Sequence, residues 1–307
     1  MEGTLNSSAS PSNINEYVLK SEGGAVLKNF KMTASDPTEG GGIDASKAFN
    51  LRIEDNYIFN CATGIRFSGM NRDIIITGNH IFAIYEDALL FDTSVNLHQC
   101  NIVNNMIMFA MNDINVNNPS AIANFQIVGN DIEIVSYPAS GYVNAKCIVI
   151  SCSSAPDMCG EFEISGNTIQ SHMTSVDLIY LSGHADKPIS DVSITGNHIS
   201  NSGGRAIYLN NCLNVAITGN NYTSIRHFVY ELYGACTNIL ICGETARDIN
   251  TETVDAGGKI HADSSATLTN VRCKNVICTP HDDVDIDTSS VTNVDVEDET
   301  SANGVSF

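Results

Sequence analysis

Three short segments share a plan that could serve carbohydrate chemistry: DLIYLS (177–182), AIYLNN (206–211) and VYELYG (229–234). In each, an apolar residue read as inward (Ile179, Ile207, Tyr230) precedes an outward one, because strand side chains alternate. Tyr180, Tyr208 and Glu231 then fall in one column, with Ser182, Asn210 and Tyr233 two residues further along. Exposed rings flanked by a carboxylate and amides suit a sugar chain: rings pack on C–H faces while polar groups read hydroxyls. Tyr180, Tyr208, Tyr233 and Asn210 are therefore candidate substrate-binding residues. His184 joins them because its loop, SGHADKPIS (182–190), leaves the same strand. Two plainer readings compete: stacked aromatics stiffen a sheet or lie under a neighbouring subunit, and a surface histidine is usually a solvated loop residue.

Cleaving a glycosidic bond needs two carboxyl groups about 5–9.5 Å apart, one of them protonated. Glu231, Asp177 and Asp92 are the candidates for that role. Asp87, Lys146, Asp177 and Arg205 share a column just before these strands, and Asp177 with Arg205 reads as an exposed ion pair of little energetic value. Glu86, Asp87 and Asp92 lie close together, but acids are abundant in this chain. No metal or cofactor is expected: there is no C-x-x-C pair, P-loop, dinucleotide fingerprint or nucleophile elbow.

A repeat must position these residues. IEDNYI (53–58), ITGNHI (76–81), IVNNMI (102–107), IVGNDI (127–132), ISGNTI (164–169), ITGNHI (194–199) and ITGNNY (217–222) align without gaps. Their shared residues are Asn56, Asn79, Asn105, Asn130, Asn167, Asn197 and Asn220, and a degenerate copy, ICGETA (241–246), puts Glu244 in the eighth place. Each copy reads as an alternating strand, a Gly-Asn corner that tolerates the left-handed conformation, one apolar residue, a loop and a second strand. Such a unit cannot bury its apolar face alone, whereas stacking copies about 4.8 Å apart pairs every strand in parallel and buries it. The expected fold is all-β: a single-stranded parallel β-helix of about eight coils, with the asparagines forming a structural ladder at one corner. The step from Tyr180 to Tyr208 is 28 residues, two short of the 30 from Asn167 to Asn197; two is the strand period, so the facing survives.

On these I-x-G-N-x-I coils the chain resembles the pectate-lyase-like right-handed parallel β-helix superfamily, most of all the solenoids of bacteriophage tailspikes and capsular depolymerases. The resemblance covers about Gly24 to Ala246 and is specific for fold. It implies a protein of the virion tail, made in the host cytoplasm and assembled as a homotrimer alongside other tail proteins, that binds and in some members depolymerises a host surface polysaccharide. The N-terminal anchoring domain usual in tailspikes is not visible. Two alternatives stay open: an extracellular polysaccharide lyase or glycoside hydrolase of the same fold, and a non-catalytic structural or adhesive solenoid, which the absence of tryptophan favours.

Composition narrows the partners. The net charge of −20, from 35 acidic and 15 basic residues, repels nucleic acid and anionic membranes. No apolar run approaches the roughly 20 residues of a membrane span. Residues 1–22 read as a polar lead-in without a secretory signal, 23–246 as the solenoid, and 247–307, with alternation in DDVDID and NVDVED, as a capping or oligomerising β segment over an open edge. Of the ten cysteines, Cys159, Cys212 and Cys236 stand where other coils carry Leu97, Ile122 and Ile189, so the cysteines read as free, buried thiols of a reducing compartment.

Overall fold

The computed structural model describes residues 3–7, 17–20, 23–34, 38, 40–135, 145–154, 156–173, 176–249, 260–279, 284–286, 290–296 and 305–306. It contains no helix among the described residues, only strands. The chain winds as a three-faced parallel β-helix. After each asparagine corner comes a strand of face I (for example His80–Ile84), then one of face II (Asp87–Phe91), then one of face III (Asn96–Val103) that leads to the next asparagine. Strands of successive coils pair in parallel and in register, Ile58 beside Ile81 beside Ile107 on face I and Ile65 beside Leu89 beside Ile114 on face II.

Face I is an 11-stranded sheet, so the solenoid has more rungs than the eight legible repeats. The additional ones lie at both ends: Gly3–Ser7 pairs Phe30–Ala34 parallel, and Thr267–Lys274 pairs Tyr230–Cys242 parallel. Rungs therefore continue outside the expected span of 23–246. Their sequences lack the Gly-Asn-Ile signature, yet alternation alone seats them, since Leu268, Val271 and Cys273 all point inward and are buried. The final pairing, Asp295 and Val296 with Ser306 and Val305, is antiparallel.

The corner works as its composition demands. The residue before each ladder asparagine is left-handed, with φ from 52° to 67° at Asp55, Gly78, Asn104, Gly129, Gly166, Gly196 and Gly219; the asparagine itself is not, which refines the reading that both residues take that conformation. From Asn56 to Asn197, every ladder asparagine donates its backbone N–H and its Nδ2 to the Oδ1 of the next, at 2.8–3.0 Å. These six and Asn220 are all buried, so each amide must be satisfied within the ladder. Glu244 does not end it: the N–H and Nδ2 of Asn220 donate to the Glu244 carboxylate, which also accepts from the Tyr230 hydroxyl. Burial raises the Glu244 pKa despite these donors. The ladder stops one coil later, where Val276 takes the position.

A second column, on the outside, was not foreseen. Each face III strand is bent by one left-handed residue: Asn50, Asp73, Gln99, Asn124, Glu161, Asp191, Asn214, Asn238, Asn270 and Asn293. The flanking registers stack these residues coil on coil. In the last five, each side-chain amide donates to the side chain of the coil before it: Asn214 to Asp191, Asn238 to Asn214, Asn270 to Asn238, and Asn293 to Asn270, at 2.7–2.9 Å.

The interior is apolar, with stacked Phe67 and Phe91 (centroids 4.7 Å apart) and the Phe125 and Phe162 rings below them. A fully buried acid on face II interrupts it. Asp113 stacks between Ala88 and Cys147 on the inner side of face II, and neither carboxyl oxygen has a hydrogen-bond partner. The cysteines need one correction. Cys152 and Cys159 form a disulfide across the loop of the long coil, while Cys61, Cys100, Cys147, Cys212, Cys236, Cys242 and Cys273 are free. Six of these seven are buried, as expected of small hydrophobes; burial pushes the Cys61 and Cys236 thiols up to about 11.

Candidate functional site

Face II puts the predicted residues in register. Tyr180 pairs with Tyr208 and Tyr208 with Glu231, while Ser182, Asn210 and Tyr233 form the neighbouring column. The assumed two-residue change in the intervening loop is therefore present. Asn210 Nδ2 donates to Ser182 Oγ at 3.1 Å, and the Tyr233 hydroxyl donates to Asp263 at 2.9 Å.

The rings are not laid open as a platform. Tyr180 and Tyr208 stack face to face, 4.5 Å between centroids and 6° between planes. The Lys146 ammonium covers the Tyr180 ring at 4.9 Å, and Tyr233 and the Arg205 guanidinium close on Tyr208 at 5.5 and 4.4 Å. Tyr208 retains only 7% of its surface exposed, correcting the expectation of an exposed ring. The cause is the coil spacing: rings about 4.8 Å apart along the axis bury their faces on one another and leave their edges to solvent. Burial, then the neighbouring Tyr180, raises the Tyr208 pKa.

Arg205 is the centre of the site, a role its sequence context did not suggest. Its Nε and one terminal nitrogen donate to the two oxygens of Asp177, at 2.8 and 2.6 Å, and its other terminal nitrogen donates to Glu231. The backbone N–H of Arg205 adds a bond to Asp177 Oδ1 at 3.0 Å. The side chains of Asp177 and Glu231 are only 11% and 14% exposed, so the pair expected to be exposed is a largely buried three-residue fork. Burial opposes the Arg205 charge, but its hydrogen bonds to Asp177 and Glu231 and the charges of both carboxylates outweigh this and raise its pKa. Gly204 permits the fork, because a Cβ there would stand 2.8 Å from Asp177 Oδ1. His261 Nε2 lies 4.0 Å from Glu231, and its ring stacks on Phe228. Asp177 and Glu231 are thus brought together, two coils apart, through an arginine.

The other candidates sit elsewhere. Asp92 lies three rungs from Asp177, at the opposite end of its strand, and accepts four hydrogen bonds: two from Arg66 and two from Ser94. That arrangement holds a corner. His184 lies in a turn closed by backbone hydrogen bonds with Lys187, and its Nδ1 accepts from the Asp186 N–H at 3.1 Å. Asp87 stands out among the column acids. Burial pushes its carboxyl up to about 6 although Asn112 and Asn115 donate to it.

Face I carries a second outward aromatic cluster that the repeat could have revealed. Tyr57, Phe59, His80 and Phe82 flank the ladder isoleucines, with Tyr57 against His80 at 4.7 Å, Phe59 stacked on Phe82 at 5.3 Å, and Lys31 over Phe59. The aromatic residues either side of Ile in NYIFN and NHIFA are its signal.

No protein-family model matches the chain, and no curated protein matches it. Several solved structures share its fold. It is similar to the catalytic unit of a thermostable GH87 alpha-1,3-glucanase from Streptomyces thermodiastaticus strain HF3-3, with TM-score 0.54 and 17% identity, covering 97% of this chain and 54% of that one. It is similar to full-length tailspike protein 2 of Escherichia coli O157:H7 bacteriophage CAB120, with TM-score 0.57 and 11% identity, covering 96% and 44%. The tailspike protein of E. coli bacteriophage HK620, solved in complex with a pentasaccharide, matches with TM-score 0.52 and 11% identity over 87% and 53%. The chain spans about half the length of these structures. At such identities the shared property is the fold, a right-handed parallel β-helix.

Proposed function

We propose that the chain is a glycan-binding β-helix of the tailspike type, which holds a host surface polysaccharide along face II between Lys146 and His261. The observation that carries this is the fork Asp177–Arg205–Glu231 locked against the edge-on stack of Tyr180, Tyr208 and Tyr233. Ring edges, phenolic hydroxyls, Ser182 and Asn210 there offer donors and acceptors fixed on a rigid sheet, which suits reading sugar hydroxyls. A location on a virion tail, or alternatively outside the cell, and assembly as a homotrimer with other tail proteins belong to this reading by likeness to the tailspikes of similar fold.

Binding is favoured over cleavage at the fork because both carboxylates are committed to Arg205, leaving neither free to shuttle a proton. One observation supports a second reading, hydrolysis: Asp87, in the column of Lys146 and Asp177, has a carboxyl pushed up to about 6, the property of a general acid. Incubating the protein with bacterial surface polysaccharides, and following retention, chain length and new reducing ends, separates the two. Retention abolished by Tyr233→Ala with chain length unchanged supports binding alone. Shortening that disappears in Asp87→Asn supports hydrolysis. Retention of no polysaccharide, or retention untouched by Tyr233→Ala, sinks the proposed site.

A further inference from the structure

We infer that the corner between faces I and II holds a pocket for an anionic group on a sugar, a carboxylate or a phosphate, lined by His172, Asn201, Ser224 and Arg226. This rests on the glycan-binding reading above and adds the chemical class of the glycan. The cavity measures about 190 Å³ and draws two residues from each of three successive coils, Met173 and Gly203 completing it. That is smaller than the roughly 300 Å³ at which pockets for whole small ligands begin, so it fits one substituent rather than a length of chain.

Its lining runs against the composition of the protein. Acidic residues outnumber lysine and arginine 35 to 15, yet none lines this cavity among the described residues. What does line it is an imidazole, a guanidinium, an amide and a hydroxyl, all able to donate. Glu133, only 14% exposed, holds His172 Nε2 at 3.2 Å from one side. His172 is 51% exposed, so its ring is within reach of a ligand. A guanidinium beside the Asn201 amide and the Ser224 hydroxyl suits oxygen pairs of carboxylate or phosphate, which a neutral sugar lacks.

The pocket also adjoins the proposed site through one loop. Gly203 N donates to Met173 O, Gly204 N to Ser202 Oγ, and Arg205 N to Asp177 Oδ1. Gly203, on the pocket wall, and Arg205, in the fork, are therefore two residues apart on a stretch of backbone fixed at every step. A glycan on face II would present a charged substituent to this corner.

The test uses the full chain with isotope-labelled histidine and three probes: glucuronate, glucose 6-phosphate and glucose. At least one of the two anions is expected to shift the His172 ring resonances saturably, and glucose to leave them unmoved. Arg226→Gln should weaken that response about tenfold. The exposed His172→Gln, followed calorimetrically, provides the same comparison should the arginine variant fail to fold. The identity of the anion that acts distinguishes carboxylate from phosphate. An equal response to glucose, no response to either anion, or full affinity in the folded variants would overturn the pocket. Polysaccharide retention untouched by Tyr233→Ala with the anion response intact would tell against face II alone; a missing anion response with retention lost in Tyr233→Ala would tell against the pocket alone.

Discussion

Replacing Asp113 by Asn should stabilise the protein, and by an amount that grows with pH. The carboxyl is fully buried between Ala88 and Cys147, with no hydrogen-bond partner for either oxygen. Burial raises its pKa well above the ordinary 3.8, and the Glu133 charge adds to it. A raised folded pKa means that the native state binds a proton the unfolded chain releases. Stability is then fully present below the ordinary carboxylate value and is lost as pH rises towards the folded one. Within that window each pH unit costs about 1.4 kcal/mol. As pH rises above the ordinary carboxylate value, the wild type should therefore lose stability relative to Asp113→Asn, whose amide does not titrate, by up to about 1.4 kcal/mol per pH unit. Asp87 and Glu244 also have raised values, but they are common to both proteins and cancel in the difference. Chemical unfolding of both proteins across that range, with far-ultraviolet dichroism as the signal, measures it. A stability difference independent of pH would refute the buried, protonated carboxyl.

The remaining expectations concern the ladders, the site and the thiols. Asn130→Ala should cost about 1–3 kcal/mol, because it strands the Asn105 N–H in the interior and takes the amide donor from the Ile102 carbonyl; an unchanged melting point would remove the ladder's structural role. Tyr208→Ala should cost about 2–3 kcal/mol, since its ring is buried against Tyr180, Tyr233 and Arg205, and a wild-type melting point would mean the ring is not packed as described. Arg205→Met should cost about 3 kcal/mol by leaving Asp177 and Glu231 unpaired, and Arg205→Met Asp177→Asn Glu231→Gln should recover much of it; no recovery would argue against the fork. Titration of denatured, unreduced protein should find the seven described free thiols reactive and Cys152 and Cys159 linked; a second disulfide among those seven would contradict the reduced interior.

The repeat made the fold legible because one position per coil allows so little variation. A buried amide that must accept two hydrogen bonds and pass two on leaves asparagine nearly alone, and the isoleucine after it is fixed by the core. The same register carried the face II column through, down to Tyr208 opposite Glu231. Glu244 holds the eighth place although its identity differs, because a carboxylate accepts from Asn220 as an amide oxygen does. The outer column escaped notice for a related reason. Any of Asn, Asp, Gln and Glu serves an exposed left-handed bend, so no single residue recurs. Exposure of Tyr208 and Arg205 could not be read from alternation, which tells outward from inward but not how neighbours on the same face cover one another. Cys152 and Cys159 are linked across a loop whose shape no repeat specifies.

The two amide chains do not cover the same length of the molecule. The inner one runs from Asn56 to Glu244, and the bonded part of the outer one from Asp191 to Asn293. They overlap in the coils that contain Asp191, Asn214 and Asn238, as two planks overlap in a lap joint. A solenoid with nearest-neighbour cohesion fails at its weakest seam. Here the seam where one fastening ends is already held by the other, so a pull along the axis finds no coil from Asn56 to Asn293 joined by strand pairing alone. The Arg205 fork lies inside the doubled stretch, which makes the proposed binding face the part of the rod that should yield last under load.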